Sequence, residues 1–554
     1  MVDVVRSGIG EIDPAATQYM VRMRDGVRLA TDVYLPEGDD TPGPVLLTRL
    51  PYDKNGAFVP STLCAEYLMA RGYRVVVQDV RGKFRSEGEL QIFGTEAQDG
   101  YDTIEWISQQ PWCDGNVAMW GTSYFGLTQL AAMTTQHPAL KAISPRLTGS
   151  MGMQPETSTD GLTRHVDWTQ LYMYALEHFQ DKENFSWDID WSTRPYLDSI
   201  NEFLHEYGDG SNRSFDRWYP HRYPLRIYPD VANPFDARAI PTLMTIGWWD
   251  NCATWSWRDV AAMNERAAWR NAMHLLIEPI DHYSIVFGED AGAEEPTAEP
   301  TAEQVRDLLA RVMGPTVDFF DHYVRNIEPQ KRIPAVRYTV ANAEGVRTVE
   351  AWPPPGGRTI DLVPGADGAL HIAPADRGEQ TAAEWVHDPE NLVPSPIENT
   401  FAFLLSTGDH EAVRAHPGVV SWASEPLTED LEFVGAISAT GRFTSTGPAM
   451  DIFVRLFDVA PDGQQMWFAR GNIHVMDMSV ERELTITMDY AGYRVHAGHR
   501  LIVEIASSDF PEYVPLPGNG QDPLAAAETA TNTQTVLIGG ATGLTLTATL
   551  SSQE

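Results

Sequence analysis

The hydrophobic pattern changes character near residue 346, and that change restricts the chain more than any other feature. Before it, solid apolar runs alternate with amphipathic stretches. Pro44–Arg49, Tyr73–Val80 and Asn116–Gly121 are continuous, and Val27–Tyr34 alternates. Between them, Ser61–Arg71, Asp99–Gln109 and Tyr124–Thr135 carry helical spacing. Strands apolar on both faces and separated by helices predict a parallel sheet covered on both sides. Pro241–Trp248 and His274–Ile280 resume the strand pattern. Val305–Arg325 predicts a closing helix, with Leu308, Leu309, Val312 and Phe319 at helical spacing. Beyond 346 the strand-like runs Leu431–Ala439, Met450–Val459, Met466–His474, Leu484–Met488 and Arg500–Ala506 follow without helices, separated by turns such as Pro461-Asp462-Gly463. That pattern predicts an antiparallel sandwich.

The expected division is therefore an α/β core in two parts, 1–149 and 236–345, a helical cap inserted over 150–235, and an all-β domain over 346–554. The cap is expected from the crowding of Trp168, Tyr172, Tyr174, Trp187, Trp191 and Trp218 where strand alternation disappears. Three consecutive prolines mark Trp352–Gly357 as the linker. Glu289–Gln304, with its duplicated Pro-Thr-Ala-Glu, reads as a solvated loop.

Forty basic against 77 acidic residues leave a formal charge of -37. Such a field repels phosphate backbones and anionic lipid heads, so neither nucleic acid nor membrane is expected as a partner. No run approaches the ~18 apolar residues of a membrane span. Three cysteines, Cys64, Cys113 and Cys252, give no metal-like spacing and no disulfide framework. The segment Met1–Thr17 has no apolar signal-type region, which points to the cytoplasm.

The chemistry gathers at Trp120-Gly121-Thr122-Ser123-Tyr124-Phe125-Gly126, entered from an apolar strand and left by a helix. A serine on such a turn is presented at the carboxyl edge of the sheet, in front of a helix N-terminus. Phe125 stands where the usual Gly-x-Ser-x-Gly pattern has its last glycine. A nucleophilic serine needs a base, and the base an orienting carboxylate. Strand Pro241–Trp248 runs into Asp250, and His274–Ile280 into His282. In a parallel sheet these loops share an edge with Ser123, in the chain order Ser, Asp, His. Asp250 has a competing reading as the cap of the helix over Trp255–Ala268, and Asp281 competes with it as orienter.

Four stretches are similar to the serine hydrolase family of cocaine esterase and the X-prolyl dipeptidyl-peptidases, which includes α-amino acid ester hydrolases and glutaryl cephalosporin acylases. They are Arg49-Leu50-Pro51-Tyr52-Asp53-Lys54, then Gln78-Asp79-Val80-Arg81-Gly82 with Ser86-Glu87-Gly88. The third runs from Trp106 through Pro111-Trp112 to Gly126, and the last is Ala497-Gly498-His499-Arg500 with Ser508-Asp509-Phe510-Pro511. The family commonly has Ser-Tyr-x-Gly at its nucleophile, as here. It departs at Asp281, where relatives more often carry a small polar residue. The resemblance implies an α/β-hydrolase core, a helical cap and a C-terminal jelly-roll. It also implies that Tyr52 donates its hydroxyl to the oxyanion hole. The backbone N–H of Tyr124, next to the nucleophile, would be the second donor. Asp79, Arg81 and His499 read as framework residues.

The expectation is a serine hydrolase acting on a small-molecule carboxylic ester, with catalytic Ser123, Asp250 and His282 and no metal or organic cofactor required. An amide-directed acylase, an α-amino acid ester hydrolase or an X-Pro dipeptidyl-peptidase is the alternative within enzymes. A carbohydrate-binding jelly-roll protein is the alternative outside them. A homo-oligomer is compatible with the sequence.

Overall fold

A computed structural model describes residues 10–39, 41–56, 59–92, 94–150, 168–178, 189–206, 213–221, 231, 233–284, 301–329, 331–373, 376–397, 399–405 and 408–552. Its first layer system is built on ten strands: β1 (Thr17–Arg22), β2 (Arg28–Tyr34), β3 (Gly43–Leu50), β4 (Arg74–Asp79), β5 (Cys113–Thr122), β6 (Leu140–Arg146), β7 (Thr242–Gly247), β8 (Met273–Glu278), β9 (Val336–Tyr338) and β10 (Arg347–Val349). They pair in the order β1-β2-β4-β3-β5-β6-β7-β8-β9-β10. From β4 to β9 every pairing is parallel, while β1, β2 and β10 join antiparallel. Every residue of β3, β4 and β7 is buried, as strands covered on both faces must be.

The covering helices include α1 (Ser61–Met69), α2 (Glu96–Ser108) and α3 (Tyr124–Thr134). Three more, α4 (Trp168–His178), α5 (Tyr196–Glu206) and α6 (Arg213–Trp218), lie in the segment read as a helical cap. Trp187 and the 289–300 part of the solvated loop fall outside the described residues. Helices α7 (Ala253–Asn264) and α8 (Ala267–Ala272) separate β7 from β8, and α9 (Ala302–Tyr323) follows the sheet's last central strands. Thr301 and Gln304 close a reciprocal capping box on α9, satisfying backbone donors that the helix itself cannot pair.

Two expectations about the domain junction change. The first sheet continues past residue 345, because β10 pairs with β9. The segment beginning at Trp352 is not a bare linker either: its indole is buried against Trp248, Trp257, Tyr338 and Tyr490. An aromatic of that area adds far more to a domain contact than the prolines beside it.

The C-terminal domain stacks two antiparallel sheets. One has eight strands around the long Leu431–Ser445; the other orders Val419–Ala423, Arg500–Ala506, Ala449–Val459 and Gln465–Met476. Their inner faces share one core, including Phe433, Ile437, Ile452, Val454, Val503 and Ile505. Domain contact with the first sheet is close. The Trp248 ring, held to the first sheet by its N–H bond to Thr339 O at 2.8 Å, meets Gly492 of the C-terminal domain so closely that a Cβ there would lie 2.1 Å from it. Among the described residues no helix is long and apolar enough to cross a membrane.

Candidate active site

Tyr52, Ser123, Asp250 and His282 lie on the segments that follow β3, β5, β7 and β8. Those strands run parallel within one sheet, so the four segments leave by the same edge, where α/β folds place their ligands.

Ser123 is half-buried and sits between β5 and α3 with φ 58° and ψ −126°, a left-handed conformation unusual for a residue with a Cβ. Its N–H donates to Arg146 O at 2.9 Å, and its carbonyl accepts from Gly126 and Leu127, so strand and helix hold the turn from both sides. Gly121 has φ +142°, and a Cβ there would lie 2.1 Å from the Phe125 ring. At Gly126 a Cβ would meet Thr148 Cγ2 at 2.5 Å. The tight approach thus falls at position 126 and not at 125, which is why Phe125 is tolerated and a glycine follows it. Gly121→Ala is expected to cost about 2–5 kcal/mol, from the backbone conformation and the overpacking together. It should lower the thermal midpoint, and adding Phe125→Ala should restore only the packing part.

His282 and Asp250 meet directly. Imidazole Nδ1 stands 2.7 Å from Asp250 Oδ1, and both residues are buried. With the carboxylate accepting, Nδ1 carries the proton and Nε2 keeps its lone pair. The loops bearing them are laced by backbone bonds: Trp248 N donates to Glu278 O at 3.0 Å and Trp249 N to Ile280 O at 3.1 Å. Gly247 permits this crossing, since a Cβ would sit 2.4 Å from Ile280 O. The helix-cap reading of Asp250 does not describe the structure, because Cys252 occupies the N-cap of α7. Asp281 is also otherwise engaged. Its Oδ1 accepts from Tyr283 N and the Ser284 hydroxyl, and its Oδ2 accepts from Leu404 N at 2.9 Å. It ties the histidine loop to the C-terminal domain.

Tyr52 brings the serine and the histidine sides together. Its hydroxyl is hydrogen-bonded with that of Ser123, and Tyr283 and Cys252 are its titratable neighbours. Burial drives its phenol well above the ordinary tyrosine range, with Tyr283 and Cys252 adding to the rise and Ser123 opposing it. The group therefore stays an O–H donor at any working pH. Tyr124 opens α3, and its own hydroxyl donates backward to Glu96 Oε1 at 2.9 Å.

Aromatic rings cover His282. Phe401, from a 3-10 turn of the C-terminal domain, has its ring 5.1 Å from the imidazole and stacks on Tyr283 at 5.6 Å. Trp168 and Tyr172 of α4 stack on each other at 5.5 Å and meet Phe401 edge-on, each at 5.4 Å. Phe401 lies outside every segment that strand and helix patterns single out. The apolar run Thr400–Leu405 is its only sequence signal.

The family model described as X-Pro dipeptidyl-peptidase (S15 family) matches residues 25–284, and that for the X-Pro dipeptidyl-peptidase C-terminal non-catalytic domain matches 330–546. Cocaine esterase of Rhodococcus sp. (strain MB1 Bresler) is 28% identical over 548 residues, spanning 90% of this chain and 91% of that one. The chain belongs to this serine hydrolase family. A solved α-amino acid ester hydrolase has a TM-score of 0.80 at 22% identity, with 98% of each chain covered. An aminopeptidase from a marine sediment Thaumarchaeota archaeon has 0.75 at 23%, again with 98% of each covered. At those identities they bear on the fold, an α/β-hydrolase core with a C-terminal jelly-roll.

The stretches that resemble the family now have physical roles. Arg49 donates to Gln78 Oε1 and to Glu96 Oε2, at 2.8 and 2.9 Å, and Glu96 in turn accepts from Tyr124 behind the serine turn. Burial raises the Glu96 carboxyl, and the Arg49 charge opposes that rise. Arg81 holds Asp99 through two N–H groups and reaches Asp25 with a third. Asp79 accepts from Lys54 N and Nζ, yet burial still pushes its carboxyl up to about 7. His499 pairs with Asp458, which also accepts from Tyr493, so it is held within the sandwich. Asp509 faces Arg455 at 2.7 Å, while Phe510 packs on Trp191 and Tyr196 and supports α5.

Proposed function

We propose that the protein hydrolyses carboxylic esters through an acyl-enzyme on Ser123. The reading rests on the buried Asp250–His282 hydrogen bond, on loops that leave the sheet by the same edge as the Ser123 turn. His282 Nε2 takes the Ser123 proton as Oγ attacks the ester carbonyl. Negative charge grows on the carbonyl oxygen and is met by the Tyr52 O–H and the Tyr124 backbone N–H. His282 then returns the proton to the leaving alcohol, and water repeats the sequence on the acyl-serine. Asp250 keeps the proton on Nδ1 and stabilises the imidazolium that forms in each half-reaction.

Two features favour an apolar ester over an α-amino substrate. Phe401 and Tyr283 stand next to His282, with Trp168 and Tyr172 packed on Phe401, and this aromatic cluster suits a flat apolar acyl or alcohol group. The described carboxylates nearby are engaged: Asp250 by the imidazole, Asp281 by three donors, and Glu177 by Ile92 N and Ser214 N. Asp281 and Glu177 are thereby taken, and Asp250, whose Oδ2 has no partner among the described residues, is committed to the imidazole through Oδ1. The acids at 160, 167, 181 and 183 lie outside the described residues.

The test compares an aryl ester of an apolar acid, an α-amino ester and an X-Pro amide. The first is expected to have the highest kcat/KM, and a preference for either of the others would reassign the substrate class. Labelling by a fluorophosphonate is expected, and its absence would favour the carbohydrate-binding alternative. Tyr52→Phe keeps the ring that meets Phe125 edge-on at 6.2 Å and removes only the donor. It should lower kcat by about 10²–10³ with little change in KM. Steady-state kinetics on the same ester checks this.

A further inference from the structure

Cys252 has no part in the hydrolytic cycle, yet its thiol stands inside the site. One ligand atom each from Asp250, Cys252 and His282 lie within 4.8 Å of one another, and all three residues are buried. Cys252 is the N-cap residue of α7, but its side chain does not cap the helix. A second observation points to a ligand. Asp250 Oδ2 is buried and has no hydrogen-bond partner among the described residues, while Oδ1 is occupied by His282. A buried carboxylate oxygen left this way is costly unless something positive can reach it.

We propose that Asp250, Cys252 and His282 form an inhibitory site for a thiophilic divalent cation, with Zn²⁺ the ligand it fits. A thiolate, an imidazole and a carboxylate are the three donor types zinc takes, and a water completes the tetrahedron. With Zn–S near about 2.3 Å and Zn–N or Zn–O near about 2.0 Å, the ligand atoms must stand roughly 3.2–3.7 Å apart. The three ligand atoms lie within 4.8 Å of one another, so rotation at Cys252 Sγ and the Asp250 carboxylate is the adjustment the site requires. Asp250 and Cys252 share one turn, and the His282 loop is tied to it through Ile280 O, so little backbone has to move. The formal charge of -37 favours approach of a cation.

Binding is a substitution without redox change. The thiol proton leaves to solvent, and if the cation takes Nδ1 the ring proton moves to Nε2, so the imidazole stays neutral. At Nε2 the metal occupies the lone pair that would receive the Ser123 proton. At Nδ1 it displaces the ring proton onto Nε2, where no lone pair then remains for the Ser123 proton. Either way the base is lost. The inhibition rests on the hydrolase reading above, whereas the coordination does not.

Co²⁺ is the spectroscopic probe and Zn²⁺ the inhibitor, both on the full-length metal-free protein. One equivalent of Co²⁺ should give a thiolate-to-cobalt charge-transfer band that Zn²⁺ displaces. Zn²⁺ should inhibit ester hydrolysis, and a chelator should restore it. Cys252→Ala should hydrolyse ester in chelator, show no band and need at least about tenfold more Zn²⁺ for half-inhibition. Cys252→Ser serves as the conservative variant should the alanine form fail to fold. No band in the parent, a band persisting in both variants, or equal inhibition of parent and variants would overturn the proposal. A persisting band would implicate Cys64 or Cys113, although burial pushes the Cys64 thiol up to about 12 and makes it a poor ligand. A Cys252-dependent band in a preparation that cleaves no ester would sustain the metal site and remove the hydrolase reading instead.

Discussion

Ser123→Ala is expected to lower kcat on an ester substrate by about 10⁶, with KM nearly unchanged and the fold intact. The size follows from the role proposed for the hydroxyl. Without it no acyl-enzyme forms, and His282 has nothing to deprotonate except water. About 8 kcal/mol of barrier lowering disappears with the nucleophile. A residue of about 10³–10⁴ over the uncatalysed rate should persist, because Tyr52 and the start of α3 still face a bound carbonyl. The substitution removes one atom from a half-buried side chain and leaves the backbone bonds of the turn in place. The thermal midpoint should therefore stay near that of the parent, in contrast to Gly121→Ala. Parallel assays of turnover, fluorophosphonate labelling and thermal unfolding check the result. Turnover or labelling at the parent level would place the nucleophile elsewhere.

The core was legible because its strands are solidly apolar and short. Pro44–Arg49 and Tyr73–Val80 sit within a residue or two of β3 and β4, both buried throughout. The long strand Leu431–Ser445 extends well past the run ending at Ala439. Its second half, Thr440–Ser445, alternates buried and half-buried residues, several of them polar, so a hydrophobic criterion stops early. The same limit hid β10. Arg347-Thr348-Val349 has no fully buried residue, and its place in the first sheet comes from pairing with β9. Pairing of this kind is tertiary information.

At the site, what could be read was whatever a strand end dictates. Ser123, Asp250 and His282 each follow an apolar run, and a parallel sheet sends such ends to one edge. Contacts supplied by distant segments left no periodic trace. Leu404 N reaches Asp281 from 123 positions away, and Phe401 approaches His282 from the other domain. Glu96 behind the serine turn was equally hidden, since a glutamate opening a helix normally reads as a favourable first-turn charge. Its burial with Arg49 and Tyr124 is visible only once α2 and α3 are packed.

Asp250→Ala is the second large effect, with kcat expected to fall by about 10⁴. The imidazole loses the acceptor that fixes its tautomer, and the imidazolium formed during each proton transfer loses its counter-charge. His282 is buried, so water cannot simply take the carboxylate's place, and an unpaired Nδ1–H costs about 1–3 kcal/mol. Asp250→Asn separates geometry from charge. Because Oδ2 has no partner among the described residues, nothing there forces the amide nitrogen toward the ring. The amide oxygen is free to face Nδ1 and preserve the tautomer, leaving only the charge missing. The asparagine variant should therefore retain more activity than the alanine one. Equal losses in the two would mean that the carboxylate's charge, and not its hold on the ring, carries the contribution. Activity of Asp250→Ala within about tenfold of the parent would remove Asp250 from the role altogether.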